Sequence, residues 1–318
     1  MKKFLPVALV LVVFSSGCTI PGLDGINIPF LTGGQVVQYE HDVIVIKSLE
    51  AVPSEIDAGQ STKIIAYVQN IGDRTIPIQG VQNTQNGIIV ELYDYCKGLF
   101  SIASTSCKGV ASNGVCTIDN ILPGEIVPVT WTIEQNRNSD ISLKTVCPQD
   151  GMKVLVKYPY KTNALADVSF VSKEELERSI EQRDYLAVGD YLVTGQGPLK
   201  PYITIEDKQP IPVFTGARTV LGFQFKNMGQ GYATEIKAPE ISGLDGIGTY
   251  AGECEIATMS GLQSVTIIGK ESPKYLCKLE ISNMNFERRA TRVVEASIEY
   301  MYTFTKNVQV TVNPKIAI

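Results

Sequence analysis

The chain has 318 residues, with 33 Asp and Glu against 28 Lys and Arg, a formal charge of -5, and only 19% of its residues charged. That balance excludes a basic nucleic-acid-binding surface and a disordered acidic tail. One histidine, His41, leaves almost no material for a His-based triad, a His-rich metal site or a histidine pH switch, while 44% hydrophobic residues, 27 Gly, 16 Pro and 14 Tyr fit a folded, turn-rich β protein. At about 100–200 residues per domain, the length predicts two domains.

The first element is a leader. Lys2 and Lys3 precede the apolar run Phe4 to Phe14, broken by Pro6. A bilayer-spanning helix needs about 20 residues, so the run reads as a signal peptide over 1–17. It closes on Ser15-Ser16-Gly17-Cys18. These residues resemble the lipobox of prokaryotic lipoproteins, although Ser15 stands where Leu is usual. The resemblance implies cleavage before Cys18, a lipid on its thiol, and a mature chain that has lost Lys2 and Lys3 (26 against 33, or -7). An ordinary secretory signal with a chance cysteine, or an uncleaved anchor, are the alternatives.

Residues 18–41 are rich in Gly and Pro without helical or alternating period, and read as a flexible tether. Strand signals follow: Asp42 to Val52, then Thr62 to Val68 after a Gly59-Gln60 turn and running into Asn70-Ile71-Gly72-Asp73. Further runs are Ile88 to Tyr95, Ile126 to Ile133 after Pro123-Gly124, Met152 to Tyr160 after Asp150-Gly151, and Asp167 to Val171. Short strands at this spacing predict sandwiches rather than βαβ units. Ser172-Lys173-Glu174-Glu175 reads as a capping box opening a helix through Leu176 and Ile180. The breakers Gly195 to Pro198 place a domain boundary beyond it.

The second half repeats the first. Ile64 to Gly72 (IIAYVQNIG) matches Leu221 to Gly229 (LGFQFKNMG), each after Gly-x-x-Thr. Val154 to Tyr160 matches Ala296 to Tyr302, and a last β-rich run, Asn307 to Val312, closes the second copy. Alternation through Val294, Ala296, Ile298, Tyr300 and Tyr302 puts both tyrosines on a buried face with hydrogen-bonded hydroxyls. The expected fold is therefore all-β: two tandem immunoglobulin-like β-sandwich domains, 42–171 and 198–318, joined by a short helical linker, 172–197. Thr-x-x-strand-Asn-x-Gly, then Pro123-Gly124-Glu125 and a strand holding Trp131, resembles the CARDB-type adhesion-related modules of prokaryotic surface proteins, with an archaeal look to the Ile/Tyr/Val-rich texture. The likeness covers most of 42–171 and more weakly 198–312. It implies extracellular binding or spacing, usually without catalysis.

Setting Cys18 aside leaves six cysteines, an even set that reads as disulfides in an exported chain. No CxxC pair exists, and His41 is the lone imidazole, so zinc is not expected. Cys107 and Cys116 bracket a short Gly/Ser-rich loop. Cys96 and Cys147 fall at the same end of an immunoglobulin-like order. The expected pairs are Cys96–Cys147, Cys107–Cys116 and Cys254–Cys277, with three connectivities open in the first domain. Gly246 to Gly252 reads as turn glycine rather than a dinucleotide loop, and the repeated GLDGI turns at Asp24 and Asp245 offer too few oxygens for calcium. No catalytic residue, metal or cofactor is expected. The expected function is a non-enzymatic, lipid-anchored extracytoplasmic scaffold, spacer or adhesion module with envelope proteins as partners and no nucleic acid. A subunit of an envelope filament, pairing through edge strands, and an accessory ligand-binding lipoprotein of a transporter are the alternatives.

Overall fold

The computed structural model describes residues 41–78, 87–136, 143–146, 148–182, 191–214, 216–244, 248–254, 256, 265–281 and 287–314. In chain order the first half runs β1 (Ile44–Val52), β2 (Glu55–Asp57), β3 (Ser61–Asn70), β4 (Ile88–Asp94), β5 (Phe100–Cys107), β6 (Val110–Ser112), β7 (Val115–Ile118), β8 (Ile126–Gln135), β9 (Thr145–Val146) and β10 (Met152–Ser172). A helix, α1 (Lys173–Glu181), comes next. The second half holds β11 (Tyr191–Thr194), β12 (Leu199–Ile205), β13 (Ile211–Val213), β14 (Arg218–Asn227), β15 (Tyr232–Thr234), β16 (Glu240–Ser242), β17 (Gly248–Cys254), β18 (Tyr275–Ile281), β19 (Arg289–Val308) and β20 (Thr311–Asn313). The protein is mostly β, as its composition predicts.

The strands form where apolar residues alternate. In β3, Thr62, Ile64, Ala66, Val68 and Asn70 are buried while their neighbours are not. Two four-stranded sheets of the same connectivity result, β1-β3-β8-β5 and β12-β14-β18-β17. The matched segments at Ile64 and Leu221 lie on equivalent second strands of these sheets. Each is bounded by its Asn-x-Gly turn.

A larger sheet, β15-β19-β10-β4-β7-β6, faces them, with β11 and β13 added to β10 and β16 to β19. Its centre is the antiparallel ladder of β10 on β19, running without a break from Met152 opposite Val308 to Val171 opposite Arg289. The sequence breaks β10 into two strands, at Tyr160 and Asp167. Lys161 to Ala166 contains neither Gly nor Pro, and β19 satisfies its backbone throughout. The 21 residues therefore form one strand. Pro159 faces Met301 across the ladder, with Tyr158 opposite Tyr302 and Tyr160 opposite Tyr300. Because Tyr158 and Tyr160 are the repeat counterparts of Tyr300 and Tyr302, a pseudo-two-fold axis passes through the Pro159–Met301 pair.

About this axis the halves exchange their ends. The last turn of β10, from the first half, pairs in parallel with β13 of the second. Reciprocally, β20 pairs in parallel with β2 and antiparallel with β9, both from the first half. Val310 and Val312 on this returning segment are completely buried, worth about 2 kcal/mol each in removed apolar surface. The helix packs against β10 and β13, and β10 itself makes the crossing between halves. Tyr39–Ile318 accordingly forms one compact unit around one hydrophobic cluster.

The helix start follows half of the expected capping box. The Glu175 N–H donates to Ser172 Oγ at 3.2 Å. The Glu175 carboxylate, however, turns to Arg178 and Arg289 instead of to the cap, and the Ser172 N–H donates to the Arg288 carbonyl. A nearby pair of guanidinium groups outcompetes a single amide for the carboxylate.

Candidate functional site

Of the residues singled out by sequence, Cys18 lies outside the described residues. Cys107 on β5 is bonded to Cys116 on β7, bridging two facing sheets with Cα atoms 6.3 Å apart. Cys254 and Cys277 are bonded between neighbouring strands, at directly opposed positions of β17 and β18. Loops of these lengths predict about 3 kcal/mol from each closure. Cys96 is also disulfide-bonded, and Cys147, its expected partner, lies outside the described residues. Asp24 and Asp245 do as well. The glycines from Gly248 to Gly252 sit on β17 and not in a turn; the pairing with β18 shifts register between Tyr250 and Glu253, which is where a strand tolerates Gly. Trp131 is fully buried on β8, its indole N–H donating to the Gly114 carbonyl at 2.7 Å.

The tyrosines of the two halves meet at the pseudo-two-fold axis. Tyr158, Tyr160, Tyr300 and Tyr302 are all buried, with ring centroids 5.8 to 6.3 Å apart in edge-on or tilted pairs. The Tyr300 hydroxyl shares a 2.8 Å hydrogen bond with Thr162 and accepts from the Leu199 N–H. The Tyr302 hydroxyl accepts from the Gly231 N–H at 2.8 Å and donates to Asn227 Oδ1 at 3.1 Å. Burial pushes Tyr160 up to about 12 and holds Tyr158, Tyr300 and Tyr302 above the ordinary phenol range. These phenols stay neutral and are packing groups. The Tyr158 hydroxyl, close to the Ile44 backbone, makes no well-formed hydrogen bond.

Both Asn-x-Gly turns abut this cluster, and their asparagines are structural. Asn70 Nδ2 donates to the Arg74 and Ile121 carbonyls while its Oδ1 accepts from the Gly72 N–H. Asn227 Nδ2 donates to the Gly231 carbonyl while its Oδ1 accepts from the Gly229 N–H. Each turn also receives an acceptor from the other half. Gln196 Oε1 takes the Asp73 N–H at 3.0 Å, and the Asp42 carboxylate lies against Gly229 and the Gln230 backbone. A Cβ on Gly229 would collide with the Asp42 carboxylate and the Tyr302 hydroxyl, so only glycine admits that approach. Sequence reading finds the Asn-x-Gly turns, and sees Asp42 only as a neighbour of His41; the contacts that Asp42 and Gln196 make on these turns are missed, because nothing local marks a contact made across the halves.

A surface groove lies at the end of the first four-stranded sheet where β3 and β5 begin and β8 ends. It encloses about 600 Å³ and is lined by Gln60, Ser61, Ser101, Glu134, Gln135 and Asn136 along with Gly59. Gln135 builds the wall: its Oε1 accepts from the Gly59 N–H and its Nε2 donates to the Asn136 carbonyl. The lining offers hydroxyls, amides and one carboxylate, a surface able to hydrogen-bond a polar or basic segment. Among the described residues no group of three or more His, Cys, Asp or Glu could hold a metal. Compared with protein-family models and with curated proteins, the sequence has no match.

Proposed function

We propose that this chain is a membrane-anchored extracytoplasmic protein, non-enzymatic, that acts as a scaffold, spacer or adhesion module. In this reading a lipid on Cys18 holds it, residues 18–41 tether it, and its two halves are CARDB-type immunoglobulin-like modules at 42–171 and 198–318. The observation that carries the reading is Ser15-Ser16-Gly17-Cys18 closing a short apolar run behind Lys2 and Lys3. Disulfides at Cys107–Cys116 and Cys254–Cys277 agree with an oxidising compartment. The polar groove beside Glu134 is a surface suited to a polar partner. Metabolic lipid labelling tests the anchor: the wild-type chain takes label and sediments with membranes, and Cys18→Ser loses both. Equal labelling of the two would overturn the proposal.

A second reading, a subunit of an envelope filament, is favoured by β5. This strand ends its sheet, and its sequence, FSIASTSC, carries neither charge nor proline. The outer strands β1 and β12 are protected by Lys47 and Glu50 and by Lys200 and Pro201. Light scattering with and without residues 19–40 separates the readings, since a tether-dependent polymer supports the filament and a monomer in both supports the spacer.

A further inference from the structure

The two seam turns form a natural comparison, because the same job is done in one by a neutral amide and in the other by an acid. In the first turn Gln196 reaches from the second half to the Asp73 N–H. In the second, Asp42 reaches from the first half to the Gln230 backbone. The flanking geometry also matches: the Ile71 N–H donates to the Val43 carbonyl, and the Met228 N–H to the Pro198 carbonyl. Gly72 approaches Val43 and Gln196 Oε1 as Gly229 approaches Pro198 and Asp42 Oδ1.

The fold therefore needs an acceptor at this place and does not need a charge. Asp42 nevertheless carries a carboxylate, is only 6% exposed, and leaves Oδ1 with no hydrogen-bond partner. The titratable groups around it are His41 on its own segment, Tyr158 on β10 and Tyr302 on β19. Neither phenol ionises in the neutral range, and the neighbour whose charge would favour the ionised acid is His41. We propose that Asp42 is a proton-operated latch, which fastens the segment entering the fold at His41–Val43 onto the Asn227–Gly231 turn of the other half when protonated and loosens it when ionised.

The sign follows from desolvation. Burial is the largest influence on Asp42 and raises its pKa, against the lowering effects of the Gln230 backbone and His41. A raised acid binds its proton more tightly in the folded state, so its contribution is most favourable at low pH and declines as pH rises through the folded value. Protonation makes the carboxyl neutral, as the Gln196 amide is, and removes the cost of burying its charge.

Hydrogen-exchange protection factors, which divide out the intrinsic pH dependence of exchange, test the latch on the whole chain. Between pH 4 and pH 8, protection at Ile44 to Ile46 and Met228 to Gly231 should fall by about threefold or more in the wild type. It should be flat and high in Asp42→Asn. His41→Gln, which removes the neighbouring imidazole, should keep the wild-type profile. The reciprocal variant Gln196→Glu should confer the same pH dependence on Ile71 to Arg74. A profile in Asp42→Asn that follows the wild type, loss of the profile in His41→Gln, or a pH-independent first turn in Gln196→Glu would each overturn the assignment.

Discussion

Asn70 and Asn227 each carry three hydrogen bonds that the backbone of a tight turn cannot make for itself. One of the three on Asn227 comes from the Tyr302 hydroxyl, so one side chain fixes the turn, the end of β14 and the aromatic cluster together. Replacing it strands a buried hydroxyl and a buried carbonyl. Asn227→Ala should cost about 2–4 kcal/mol in urea unfolding, and Asn70→Ala a comparable amount. A loss under about 0.5 kcal/mol would show that the turn holds without the side chain. Acidity acts on single residues with opposite signs. Glu125, held below the ordinary range by Lys108 and then by the Leu122 N–H, contributes stability above its unfolded pKa that is lost as pH falls. Asp42 behaves in the reverse sense.

Among the elements, those bounded by turn chemistry were legible and those bounded by distant pairing were not. The Gly59 and Pro123-Gly124 turns, the strands β3, β4 and β8 and the start of the helix all follow from local residues, because glycine conformations, β-branched alternation and a capping serine act over a few positions. Gly59 and Gly124 indeed take the left-handed backbone that such turns require. Nothing local could show that β10 runs on past Tyr160, since its continuity is set by β19, more than a hundred residues later. The destination of β20 was hidden for the same reason. The groove was hidden too: Ser61, Ser101 and Glu134 are ordinary strand residues until three strand ends meet. Ending the chain after Gln309 removes β20, and the effect should appear in the first half. Hydrogen exchange at Ile56 and at Thr145–Val146 should lose protection, with about 2–4 kcal/mol of stability lost from the buried valines. Changes confined to residues after Arg289 would show that the exchanged strand is ornamental.

At the scale of the whole molecule, the halves are held by the long ladder, two exchanged strand ends and two reciprocal turn contacts, none of which depends on the peptide linking them. A protease site placed within 183–190 and cut should leave the two fragments co-eluting on gel filtration with unchanged circular dichroism; separation without denaturant would contradict the shared-sheet architecture. The exchange also orders events in time. A pairing such as Asn313 with Asp57 spans 256 positions, so the first half, although made first, lacks a component until residues 311–313 have been synthesised. Domains of a nascent chain ordinarily fold as they emerge, from the N-terminus onward, and contacts this distant are slow to form. Here completion waits for the far end of the chain. If the chain is exported as proposed, that delay keeps the polypeptide open enough to be threaded through a translocation channel, and leaves its final closure, together with its disulfides, to the oxidising side.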